Sequence, residues 1–269
     1  MTLLLVAHGS RDPRHARTVE RLRAAIAARR PGLRVAVGFL DFCAPSVPRV
    51  LERLAAEGAG EVVALPLLLT RAFHAKTDIP AVLRGCAARL PGLTVRQAAV
   101  LGPSPLLTAA LERRLYEAGV RPGDRRSTGV VLASAGSSDP EAIAVIAEIA
   151  REWRHTGWCA VRPAFASASS PSTREAVAAL RADGVRQVAV APYVLAPGRL
   201  PDRIAAGGRR GRTCSGASWG GGPRGGQAGA AALRRGGGAA DDGRRAGTVR
   251  LNGSHGGSVR LSGRQEARA

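Results

Sequence analysis

From the start of the chain to about Arg203, short apolar runs alternate with stretches in which apolar residues recur every three or four positions. These are the periodicities of buried strands and one-faced helices. Leu3–Ala7 predicts a buried strand, and Arg14–Arg29 predicts a helix with Val19, Leu22 and Ile26 on one face. Val35–Leu40, Glu61–Leu68 and Thr94–Ala98 predict further strands. Helices are expected over Ser46–Glu57, closed by Gly58, over Ile79–Arg89 and over Pro105–Ala118. The order then repeats, with strands near Gly129–Ala133, Val161–Ala166 and Val188–Tyr193 and helices near Glu141–Arg154 and Thr173–Ala182. Strands joined by single helices predict an α/β fold: two tandem doubly wound parallel sheets, flavodoxin-like, each covered on both faces, with a cleft between them.

The repetition extends to individual residues. Gly9, Ser10, Asp12 and Pro13 recur as Gly136, Ser137, Asp139 and Pro140, whereas His8 recurs as Ala135. Val62–Leu69 is echoed by Val188–Leu195, and only the first copy is followed by a histidine, His74. Two matched segments in the same order mark an internal duplication. Two scaffold units sharing one active site would keep their glycines and prolines twice and their histidines once. The expected division is a site-bearing domain over residues 1–122, an incomplete repeat domain over 129–206, and a tail over 207–269.

At 269 residues the chain can hold two domains of ordinary size, each with its own core. Residues 207–269 differ in kind, holding 19 of the 34 glycines, 12 of the 40 Lys+Arg and 3 of the 20 Asp+Glu, with almost no periodic apolar positions. Such a segment cannot bury enough surface to offset its ordering entropy, so disorder is expected there. By analogy with residues 78–118, the second half should continue with a helix, a strand and a final helix, but the pattern stops. A Gly/Arg composition that begins abruptly inside a repeat is what a GC-rich gene read out of frame would give; the alternative is a genuine flexible tail. The net charge of +20 and the ratio of 39 Arg to one Lys fit the same GC-rich coding. No apolar run is long enough to cross a membrane, and Leu3–Ala7 lacks the basic lead-in of a signal peptide, so a cytoplasmic protein is expected. Cys43, Cys86, Cys159 and Cys214 form no C-x-x-C pair and are expected as reduced thiols.

His8, Asp41 and His74 each fall at or just past the carboxyl end of a predicted strand, the edge where doubly wound sheets bind ligands. Two imidazoles and a carboxylate suit divalent iron, cobalt, nickel or zinc, without thiolates that would lock the ion in place. Each residue has a plainer alternative: a hydrogen-bonded or core histidine, and for Asp41 a loop cap. His15 and His155 lie in predicted helices and are expected at the surface, and His255 lies in the tail. Gly9, Ser10 and the residues up to Pro13 lead into a helix, so their N–H groups can meet an anion. The loop is neither a Walker loop nor G-x-G-x-x-G, and no organic cofactor is expected. Arg11, Arg14, Arg71 and the sole lysine, Lys76, flank the histidines and would suit a ligand rich in carboxylates, the alternative being a solvated loop.

Three motifs in fixed order carry a family resemblance: His8-Gly9-Ser10-Arg11; Phe39-Leu40-Asp41-Phe42 with Pro45 and Ser46; and Pro66-Leu67-Leu68-Leu69 followed by His74. Over most of residues 1–203 the chain resembles the class II sirohydrochlorin chelatases, whose long forms are two fused copies of a small chelatase domain. The resemblance implies insertion of Fe²⁺ or Co²⁺ into sirohydrochlorin, toward siroheme or cobalamin, with Ni²⁺ also compatible with the ligand set. It implies His8 and His74 as the paired metal-binding and proton-accepting histidines, with Asp41 where the family usually has Glu. A neutral imidazole can take the pyrrole protons as the ion enters. The tetrapyrrole's carboxylates would meet Gly9, Ser10, Arg11, Arg14, Arg71 and Lys76, and a monomer is expected for a two-domain form. Two alternatives stand beside it. One is a metal- or tetrapyrrole-binding protein without turnover, should the second domain be disabled. The other is an RNA-binding protein acting through tail segments such as Arg224-Gly225-Gly226, against which Trp219 is the only aromatic residue there.

Overall fold

The computed structural model describes residues 1–71, 74–208 and 212–213. The first half runs β1 (Thr2–Ala7), α1 (Pro13–Arg29), β2 (Arg34–Phe39), α2 (Val47–Ala56) and β3 (Glu61–Pro66). A π-helical turn, His74–Asp78, then runs into α3 (Ile79–Arg89), followed by β4 (Thr94–Gln97) and α4 (Pro105–Glu117). After a 3-10 turn over Pro122–Ser127 come β5 (Thr128–Ser134), α5 (Pro140–Arg154), β6 (Ala160–Phe165), α6 (Thr173–Ala182) and β7 (Gln187–Tyr193). The described chain closes with α7 (Arg199–Gly207) and the two-residue β8 (Arg212–Thr213). The sheets have orders β2-β1-β3-β4 and β6-β5-β7-β8, and every pairing is parallel. The duplication seen in the sequence is therefore a duplication of topology.

Local sequence explains the element starts. Asp12 and Asp139 cap α1 and α5 by accepting the N–H groups of Arg14 and Glu141 at 2.8 and 3.0 Å, and Pro13 and Pro140 open the helices with φ already set. β1 is buried along its whole length because helices cover both faces of its sheet. Its alternate residues serve different layers. Leu4 and Val6 pack outward with Leu51, Leu54 and Ile79, whereas Leu3, Leu5 and Ala7 face inward. The inward set joins Val130, Leu132, Ile146 and Tyr193 of the second half in one cluster. Each half thus has its own outer core, but the inner faces share a single one.

The end of the second half departs from expectation. The periodic pattern stops near Arg203, yet the chain continues as a helix and a strand, the counterparts of α3 and β4. α7 buries only Ile204, which packs with Val131, Val177 and Leu180, so a one-residue apolar face left no period to detect. β8 pairs with β7 through Ala189 and Val190. Residues 214–269, on which the expected disorder and frameshift fall together with Cys214 and His255, lie outside the described residues. Among the described residues, no helix is long and apolar enough to cross a membrane.

Candidate active site

The loop after β1 and the loop after β2 touch through their backbones. Gly9 adopts φ +97°, and a Cβ there would overlap the Asp41 carbonyl, so only glycine fits. The Asp41 N–H donates to the His8 carbonyl at 2.9 Å, fastening the two strand ends together. The half-buried Cys43 thiol lies 3.1 Å from the Ser10 carbonyl. Phe42 turns through φ 56°, half-exposed, and its ring lies parallel to the His8 imidazole with centroids 6.1 Å apart. The Arg11 guanidinium sits 5.3 Å from the Phe42 ring centre.

The second copy reproduces this backbone without its chemistry. Gly136 has φ +92° and would overlap the Ser167 carbonyl, Ala168 takes φ 59° in place of Phe42, and the Ser169 hydroxyl donates to the Ser137 carbonyl at 2.7 Å. A geometric demand keeps the glycine in both halves, while nothing in the scaffold demands a histidine.

A cavity of about 450 Å³ separates the halves. His8, Gly9, Ser10 and His15 line it from the first half, and Ala135, Ile143, Ile146 and the segment Val194–Pro201 line it from the second. One wall therefore carries the imidazoles and the other is mostly apolar apart from Ser134, Ser137 and Arg199, a slot suited to the flat face of a hydrophobic ring system.

The expected site residues fall into four groups. His8, Gly9 and Ser10 line the cavity. Asp41, Arg11 and Arg71 are exposed outside its lining, with Asp41 Oδ1 accepting the Phe42 N–H at 2.8 Å. His74 opens the π-helical turn, and its side chain lies outside those described. Among the described residues, no three His, Cys, Asp or Glu side chains gather closely enough to hold a metal ion. Arg14 and Lys76, expected to meet the ligand, are instead engaged by carboxylates: Arg14 by one of its own half and one of the opposite half, Lys76 by two of the opposite half. Arg14 pairs with Asp12 at 2.6 Å and Asp202 at 2.7 Å, and Lys76 with Asp139 at 2.8 Å and Glu141 at 2.7 Å. Arg14 and Glu141 hold equivalent places after the two caps, so the same bridge is built twice with its charges reversed. The hydrogen bonds from Arg14 and Lys76 hold the Asp12 and Asp139 carboxyls below the usual carboxylate range.

Two cavity residues escaped the sequence. His15 was expected at the surface but is half-buried in the cavity wall, its ring 6.3 Å from Phe39. Its buried Nδ1 has no hydrogen-bond partner among the described residues, and burial, followed by the nearby His8, lowers its pKa. The signal was present, since His15 shares the helical spacing of Val19, Leu22 and Ile26. The other is Arg199 at the start of α7. His155 is exposed, as expected.

The CbiX family profile matches residues 2–118 and 129–207. This chain belongs to the CbiX family, the class II sirohydrochlorin chelatases. A sirohydrochlorin cobaltochelatase of Priestia megaterium is 29% identical over 205 residues, covering 76% of this chain and 67% of that protein. A sirohydrochlorin ferrochelatase of the same organism is 30% identical over 169 residues, covering 62% of this chain and 63% of that protein. The chain spans about two thirds of the length of these relatives. The structure of SirB from Bacillus subtilis with Fe³⁺ aligns with a TM-score of 0.74 at 25% identity, over 87% of this chain and 94% of that one. In this CbiX chain the two family matches cover the two sheets and their helices except β8, which lies beyond the second match.

Proposed function

We propose that this CbiX protein inserts Fe²⁺ or Co²⁺ into sirohydrochlorin from a single active site, built on the first half and closed by the second. The observation that carries this reading is the one-sided cavity, with His8 on one wall and Ala135, Ile143 and Ile146 on the other. The macrocycle would rest its flat face on the apolar wall and present its pyrrole nitrogens to His8. Two N–H protons must leave as the divalent ion enters, so charge is conserved when two bases accept them. His8 is one acceptor and His74 the other; the imidazoles and the Asp41 carboxylate hand over the ion, which is itself a substrate. Gly9, Ser10, Arg11 and Arg71 are assigned to the carboxylates at the macrocycle rim. Arg14 and Lys76 are reassigned to holding the halves together. Because one chain supplies both walls, with the division at residues 1–122 and 129–206, the monomer suffices.

Anaerobic incubation of the full chain with sirohydrochlorin and Fe²⁺ or Co²⁺, followed by the absorbance change of the macrocycle, tests this. Insertion faster than the spontaneous reaction is expected. A folded protein that adds nothing to the spontaneous rate would contradict it.

A further inference from the structure

We propose that Arg199 fixes the macrocycle in the cleft by pairing with one of its peripheral carboxylates, making it a specificity-determining residue for the reaction proposed above, on which this assignment rests. Among the described residues that line the cavity, Arg199 alone carries a permanent charge; the rest are apolar, small and neutral, or the imidazoles of His8 and His15. No carboxylate pairs with it among the described residues, whereas Arg14 and Lys76 are neutralised by Asp202, Asp139 and Glu141. An unpaired guanidinium at the edge of an apolar slot is suited to a ligand with a hydrophobic face and an anionic rim. Its planar fork can hold a carboxylate through two hydrogen bonds, which an ammonium cannot reproduce.

Its place in the fold fits this role. Arg199 follows Gly198, whose Cβ position lies 3.7 Å from the Ser10 hydroxyl, so the start of α7 abuts the loop that carries His8. A macrocycle anchored at Arg199 is therefore held across the cleft from the second half while its nitrogens face the first. The counterpart segment of the first half contains the π-helical turn that begins at His74. One strand-to-helix connection thus supplies the candidate base and the other the candidate anchor.

The test compares the full chain with Arg199→Ala and Arg199→Lys, measuring steady-state insertion of Co²⁺ and direct titration of metal-free sirohydrochlorin by absorbance. For Arg199→Ala, the KM and Kd for sirohydrochlorin should rise about tenfold, the effect of losing an exposed charge-assisted contact, while kcat and the KM for metal stay within about twofold. Arg199→Lys should fall between, and raising the salt should shrink the difference from wild type. The fully methyl-esterified macrocycle should bind wild type and Arg199→Ala equally. Unchanged KM and Kd in Arg199→Ala, with wild type active, would overturn this assignment and leave the chelatase reading standing. Wild-type protein that neither binds nor metallates sirohydrochlorin would remove that reading, and the assignment with it.

Discussion

The imidazole of His8 lies parallel to the ring of Phe42, with 6.1 Å between centroids and 4° between planes. Phe42 occupies the left-handed region at φ 56°, a conformation that costs a non-glycine residue on the order of 1 kcal/mol. Ala168 shows the same turn at φ 59° in the second half, so the backbone conformation belongs to the loop and the ring is what the first half adds. Phe42 is half-exposed and contributes little to the core. Phe42→Gly should therefore keep or slightly raise the melting temperature while lowering kcat about tenfold through loss of imidazole orientation. Calorimetry and turnover on the same preparation check it, and an unaltered kcat would remove Phe42 from the positioning of His8.

Gly9 and Gly136 offer a matched pair. Each has positive φ, and at each a Cβ would overlap the carbonyl of the adjacent loop. Gly9→Ala and Gly136→Ala should both destabilise the protein by at least about 2 kcal/mol, since the clash is with backbone that cannot rotate away. Denaturant unfolding measures this. Comparable losses show that the glycines serve the scaffold, and a loss confined to Gly9→Ala would tie the glycine to the site instead.

The ion pairs of Arg14 and Lys76, one local to the first half at Asp12 and one across the cleft at Asp139, predict how stability follows pH. Asp12 and Asp139 are held below their ordinary value near 3.8, chiefly by hydrogen bonds from Arg14 and Lys76, so their contribution is present above that value and is lost as the pH falls through the folded one. Lys76 is raised above 10.5, first by its hydrogen bond to Asp139, so its contribution is complete below that value and is lost as the pH rises through the folded one. From these groups stability should be flat between about pH 5 and pH 9 and fall at either end. Asp12→Asn and Asp139→Asn should flatten the acid limb, and melting temperatures across that range decide the matter. Because these bridges are exposed, 1 M salt should reduce their effect.

His15 adds a second pH dependence with a different onset. Burial lowers its pKa below 6.5, so the unfolded chain takes up this proton first. Stability should be undiminished by His15 above pH 6.5 and should decline as the pH falls below it, until the folded pKa is passed. His15→Leu should abolish that decline while filling the same wall with an apolar side chain. A slope identical to wild type in urea titrations between pH 7 and pH 5 would show that another group carries it.

Much of this was legible from residue order alone. The strands and helices up to Ala182 declare themselves because each buries several residues at a regular period, and the two copies confirm one another through Gly9 and Gly136. α7 did not, because Ile204 is its one buried residue. His15 was legible in principle, three turns from Ile26 on the same stripe. The roles of Arg14 and Lys76 were not, because their partners lie 188 and 63 residues away along the chain and only the folded cleft brings them together. Arg199 owes its place to the same closure. Asp41 does stand at a strand end beside His8, but its carboxylate lies outside the cavity lining, which periodicity could not reveal.

In the reaction proposed above, the histidine wall supplies the chemistry and the apolar wall carries the face of the macrocycle. The measurement that tests it most directly is Co²⁺ insertion by His8→Ala, alongside its melting temperature and its affinity for metal-free sirohydrochlorin. Turnover should drop to the spontaneous rate, with the fold intact and macrocycle binding retained. Turnover at the wild-type rate would place the reaction elsewhere and remove His8 from it.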